Sequence, residues 1–153
     1  MTIDDLKTLM DDFDPAALLP EIDTIVGKAE LAVRVAVMIG PIILLILGLM
    51  YLFMSPKEAN YYFGYRCYFG MGSVNAWRFT QRLAGIAWGV LGLVLSIVML
   101  LICSGFRGME IMDLLGAAVK CVLWEVGLTA AVCLVINTLV ALRYDRKGER
   151  RKK

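Results

Sequence analysis

The sequence predicts an all-α polytopic membrane protein, with three transmembrane helices preceded by an N-terminal amphipathic helical segment. Three observations lead there. Residues 35–54 carry no charge over twenty positions, residues 83–106 none over twenty-four, and residues 121–142 only Glu125 over twenty-two. A helix crosses the hydrocarbon of a bilayer with about 20 apolar residues, so each block is long enough to span. The 153-residue chain is 59% apolar with a mean hydropathy of +0.71, whereas soluble domains average roughly 45–50% apolar. The blocks also lack the apolar/polar alternation of barrel strands, and backbone in lipid that does not close into a barrel bonds itself as helix.

A formal net charge of +2 conceals a strong asymmetry. Residues 1–30 hold eight acids and two bases, a balance of −6, while residues 143–153 hold seven bases and two acids, a balance of +5. Residues 55–82 add four bases and one acid, and residues 104–120 two of each. With three spans, the tail and the first loop share a side, and the excess of lysine and arginine assigns that side to the cytoplasm. The expected map is an acidic extracytoplasmic segment (1–30), a first span (31–54), a cytoplasmic loop (55–78) and a second span (79–106). An outer interfacial segment (107–120), a third span (121–142) and a basic cytoplasmic tail (143–153) follow. This describes a multi-pass protein of the cell membrane, N-terminus outside and C-terminus inside, with the bilayer as its first partner. A basic cluster directly after a span reads as a topology anchor attracted to anionic lipid, so no direct nucleic-acid partner is expected.

Within residues 1–13, Ile3, Leu6, Leu9, Met10 and Phe13 share one helical face and the aspartates lie elsewhere, which predicts an amphipathic helix. Signal-peptide features are missing, so the segment is expected to be retained. Asp14-Pro15 marks a helix start, Pro20 should interrupt it, and residues 21–30 should resume toward the first span. There Arg34 lies near the outer end, and Pro41 should kink the helix. Ser73 or Asn75 can cap the second span, in which Gly85 and Gly89 form a small-xxx-small face. Such a face admits a close helix partner: the first span, the third, or a second copy in a homo-oligomer. Residues 109–120 read as a short interfacial helix.

Glu125 is the most informative residue of the third span, since a charged carboxylate inside hydrocarbon costs about 2.5–3.5 kcal/mol on insertion scales. An ion pair with Arg34 would relieve that cost. The alternative has Arg34 reaching outward to phosphates while Glu125 is protonated or meets water. Asn137, deeper in the span, is expected to hydrogen-bond between helices. The chain has no histidine and four cysteines without CxxC spacing, so no metal site and no catalytic residue is predicted. Cys103 and Cys121 are read as buried free thiols in preference to a disulfide. No phosphate-binding loop or dinucleotide fingerprint occurs, and no cofactor is expected.

The densest information lies in residues 60–85. Positions 60–79 hold eight of the fifteen aromatic side chains, together with Arg66, Asn75 and Arg78. This is not the composition of a spacer between spans. It reads as an ordered element at the bilayer surface, either an aromatic belt with snorkelling arginines or a polar site around Arg66. Arg66 could bind a phosphate or carboxylate bidentately, with Asn75, Gln81 and Arg82 completing a pocket.

The order Gly64-Tyr65-Arg66, Met71, Asn75, Trp77, Gln81-Arg82 and Gly85, preceded by Asn60, resembles the signature of the SdpI-like family of small bacterial integral membrane proteins. The resemblance covers residues 56–90. It implies a toxin-immunity or peptide-sensing protein that binds a secreted toxic peptide, a cytoplasmic transcriptional regulator, or both. An alternative drawn from the polar residues alone is an accessory subunit or small carrier, with Arg34, Glu125 and Asn137 along a polar path.

Overall fold

The computed structural model describes residues 15–60 and 62–151, with side chains from Thr24 onward. The amphipathic helix expected over residues 1–13, the Asp14 cap and Tyr61 lie outside the described residues. Three helices make up the described chain: α1 (Pro15–Phe53), α2 (Val74–Ser104) and α3 (Ile111–Arg143). All three are long and apolar enough to cross a membrane, α1 from Thr24 to Phe53.

α1 does not break at Pro20, contrary to expectation, and continues as helix through Pro41. Proline removes one backbone hydrogen bond. At position 20 that loss falls near the start of a 39-residue helix, and the long apolar run beyond holds the element together. At about 1.5 Å per residue, α1 is roughly 58 Å long and exceeds the hydrocarbon thickness. Ser73 is the N-cap of α2: its Oγ accepts from the Ala76 amide at 3.1 Å. The separate interfacial helix read over residues 109–120 is instead the beginning of α3. No proline separates residues 111–120 from the apolar block that follows, so nothing in the backbone stops the helix from forming as one piece.

α1 and α2 pack antiparallel through glycine. A side chain at Gly48 would strike the backbone of Gly89, one at Gly92 would strike the backbone of Leu45, and one at Gly85 would meet Leu52. These three pairs step along both helices in opposite directions, which fixes the register. Lipid is as apolar as leucine, so helices in a bilayer gain little from hiding apolar surface. Close approach and its dispersion contacts must supply the attraction. The Gly85/Gly89 face, for which a second copy was one expected partner, is occupied by α1 of the same chain.

α3 completes the bundle at two buried clusters. At one end Val37, Leu44, Leu95 and Met99 pack with Cys103, Phe106, Leu114 and Cys121. At the other, Tyr51, Tyr65, Ala76 and Ala84 pack with Ile136, Val140 and Tyr144. All four cysteines are free. Hydroxyls on the spans return to their own helix: Ser96 donates to the Gly92 carbonyl at 2.7 Å, and Thr129 to the Glu125 carbonyl at 2.7 Å. This satisfies each hydroxyl without water.

Gly48→Ala should lower stability by about 1–3 kcal/mol, because the added methyl meets backbone that cannot swing aside. Gly89→Ala, whose Cβ meets nothing within 4 Å, should be near neutral. Denaturant titration of the two variants in detergent checks the contrast, and equal losses would contradict the register.

Candidate functional site

The loop between α1 and α2 is held against the bundle by its own signature residues. Asn60 starts it, its Oδ1 accepting from the Tyr62 and Phe63 amides at 3.1 and 2.9 Å, a side-chain turn of the kind asparagine forms readily. Gly64 then takes φ +123°, a conformation that favours glycine. Space also requires glycine there, since a Cβ would lie 2.7 Å from the Trp77 ring and 2.9 Å from Gln81 Oε1.

Gln81 makes the central contact. From the second turn of α2 its carboxamide bonds the Tyr65 backbone twice: Oε1 accepts from the Tyr65 amide at 2.9 Å, and Nε2 donates to the Tyr65 carbonyl at 2.8 Å. Gln81 is 1% exposed, so these bonds take the place of water for backbone that has no ladder partner. Trp77, fully buried, donates its indole N–H to the Pro56 carbonyl at 2.9 Å and ties down the loop's first part. The Tyr65 ring packs edge-on against Trp88, with centroids 5.5 Å apart, and Tyr51 leans on Trp88 and Phe63. The Tyr65 hydroxyl reaches Asn137 Oδ1 at 3.0 Å, with the Cys133 carbonyl at 3.3 Å as a second acceptor. Asn137 therefore meets the loop, not another span. Burial, with the Cys133 and Cys67 thiols adding to it, pushes the Tyr65 phenol above its ordinary range.

The signature thus divides in two. Asn60, Gly64, Tyr65, Trp77, Gln81 and Gly85 build the clasp and the helix contact, and Met71 is half-buried. Arg66, Asn75 and Arg82 are exposed. The structure separates the expected pocket: Gln81 is inside the clasp, while Asn75 and Arg82 line a groove of about 700 Å³ with Arg78, Tyr144 and Arg150. Arg66 stands on the loop surface between Tyr62, 95% exposed, and Tyr68, 71% exposed.

The far end of the bundle departs from expectation. Arg34 forms its ion pair with Glu30, one turn earlier on α1, and not with Glu125. A partner four residues away on the same helix needs no interhelical reach. Glu125 is buried against Gly40 of α1, and its Oε1 has no partner among the described residues. Arg34, Glu125 and Asn137 therefore do not line one path. Near Arg34, a groove of about 460 Å³ is walled by Met38, Ile39, Ile42 and Leu100.

Several contributors were not singled out from the sequence. Tyr51 and Trp88 looked like ordinary span residues, and nothing local distinguishes an aromatic that meets lipid from one that meets a loop. The tail gave a usable signal in Asp145 and Gly148, spaced as in a tight turn. Asp145 Oδ1 accepts from the Lys147 and Glu149 amides at 3.0 and 2.8 Å, and the Arg151 amide returns to the Arg143 carbonyl at 3.1 Å. The folded tail docks on the start of α2, where Ser73 Oγ donates to the Gly148 carbonyl at 2.7 Å.

Together these features define a small polytopic helical membrane protein whose first loop is a folded, clasped element. Residues 57–144 match the model of the SdpI/YfhL protein family, and the chain belongs to that family. The match runs well beyond the resembling stretch, through α2 and α3, and stops at Tyr144. No curated protein and no solved structure matches the chain.

Gln81→Leu should cost about 1–3 kcal/mol, since it strands a buried N–H and C=O, and Tyr65→Phe about 1 kcal/mol. An unfolded tyrosine loses its proton near pH 10. The folded Tyr65 phenol keeps its proton higher, so the stability it contributes is present below pH 10 and falls as the pH rises further. Tyr65→Phe should flatten that fall, as read by melting in detergent across the alkaline range.

Proposed function

We propose that this chain is a non-catalytic, immunity-type membrane protein that works by binding a secreted toxic peptide, a cytoplasmic regulator, or both. Family membership supports the immunity class. The observation that carries the binding reading is the division of the signature, in which buried residues hold the loop still while Tyr62, Arg66 and Tyr68 stand outside. Exposed aromatic rings beside an arginine are the residue types enriched where proteins meet partners. A rigid base under them lowers the entropy lost on binding.

In this reading the basic loop and tail are cytoplasmic and the acidic N-terminal segment lies outside, as the charge distribution favours. A regulator would then meet the Arg66 face. A membrane-active peptide arriving from outside would first meet the opposite end, where the apolar groove beside Arg34 offers a matching surface. The carrier reading has one observation on its side, the unpartnered carboxyl oxygen of Glu125. It lacks a path, because Arg34 is held by Glu30 and Asn137 by Tyr65.

Protection of a sensitive host expressing the protein separates the two. Arg66→Ala should abolish protection at unchanged membrane abundance, and Glu125→Gln should retain it. The reverse pattern would favour transport.

A further inference from the structure

We propose that the groove between the first three turns of α2 and the folded-back tail is a binding site for the headgroup of an anionic phospholipid. It measures about 700 Å³ and brings Arg78 and Arg82 of α2 together with Arg150 of the tail, alongside Asn75 and Tyr144. Of its lining residues three are arginines and one, Glu149, is acidic. Guanidinium matches phosphate oxygens in a bidentate fork and is more weakly hydrated than an ammonium, which suits it to a site at the edge of water.

A second groove of about 540 Å³ adjoins the first and shares Phe79 and Arg150 with it. Leu139 and Leu142 line this one, with Arg143 and Arg151 beside them. Both leucines are exposed on the last turns of α3, where a span meets lipid. Arg143 lies over the Phe79 ring at 4.3 Å, on the shared wall. A free phosphate would use only the arginines and leave the leucines bare. A phospholipid uses both, with its phosphate among the arginines and the start of an acyl chain along the leucines, and this continuity favours the lipid.

The tail builds the site by docking. Gly148, at φ +74°, packs its backbone on Gly72 and Ser73, and its carbonyl accepts from Ser73 Oγ at 2.7 Å. That contact places Arg150 opposite α2. The family match ends at Tyr144, so Gly148 and Arg150 lie outside the matched region.

The test is native mass spectrometry of the full chain in neutral detergent, offered phosphatidylglycerol or phosphatidylcholine with identical acyl chains, with inorganic phosphate as the soluble competitor. Phosphatidylglycerol should be retained in preference at low salt, and the preference should shrink as salt rises. Arg78→Gln, Arg82→Gln and Arg150→Gln should each reduce it about fivefold. Gly148→Val, which keeps all three arginines but cannot dock the tail, should reduce it as well. Arg107→Gln, at the opposite end of the bundle, should leave it unchanged. Equal retention of the two lipids by the wild type would overturn the proposal. So would an Arg107→Gln loss as large as the others, or displacement of the lipid by millimolar phosphate. Full preference in Gly148→Val would overturn the tail's part in the site.

Discussion

The carboxamide of Gln81 is the contact on which the loop depends. A loop folded under a helix bundle presents backbone amides and carbonyls that no helix or sheet satisfies, and each one left bare in an apolar setting is costly. Glutamine carries one donor and one acceptor group, spaced to match a single residue's N–H and C=O, and at position 81 it satisfies both of Tyr65. Once Tyr65 is fixed, its neighbours follow. Gly64 must have no side chain because Trp77 and Gln81 fill the space, and the Tyr65 ring is delivered to Trp88 and its hydroxyl to Asn137. Arg66, next in the chain, is turned outward.

That clasp rests on a scaffold formed by a different kind of force. α1 and α2 approach closely enough for glycine to meet backbone at Gly48 and Gly92. α3 closes the bundle with larger side chains, Ile136 and Val140 at the loop end and Leu114 and Cys121 at the other. Polar atoms are concentrated at the loop end, where glutamine, tyrosine, asparagine and tryptophan find one another. At the opposite end, Glu125 Oε1 and Arg34 Nε are buried without partners among the described residues. Trp88 Nε1, packed against Tyr51 and Tyr65, is likewise buried without a partner among the described residues, so the loop end is the more fully paired of the two but not completely so.

The three spans were legible because lipid imposes a length and a composition that a linear sequence cannot hide. The cap of α2 was legible to within two candidates, Ser73 and Asn75, because capping is a local event between a side chain and a nearby amide, and Ser73 takes the role. The small-residue face of α2 could be read, but not its partner, since a glycine shows only that something comes close. Neither sequence alternative for Arg34, a pair with Glu125 or an outward reach to phosphates, names its partner Glu30, because two lone charges in separate spans draw attention from a carboxylate one turn away on the same helix. The bond from Tyr65 to Asn137 joins residues 72 apart and had no local signature. Ile111, Met112, Leu114 and Leu115 suggest a separate interfacial helix facing lipid, but an apolar face of that kind also continues straight into a span, as it does in α3.

Loop, α2 and tail together form one end of the molecule, with a rigid interior and a basic, aromatic exterior. Its exterior is useful only if the interior holds, so the claim to test first is that the loop is clasped and not merely tethered. Hydrogen exchange of the Tyr65 amide in a lipid nanodisc tests it most directly. The account predicts protection comparable to the amides in the middle of α2, with the neighbouring loop amides exchanging faster. Exchange of Tyr65 as fast as an unstructured peptide would show that Gln81 does not hold it, and the ordered loop face would be lost with it.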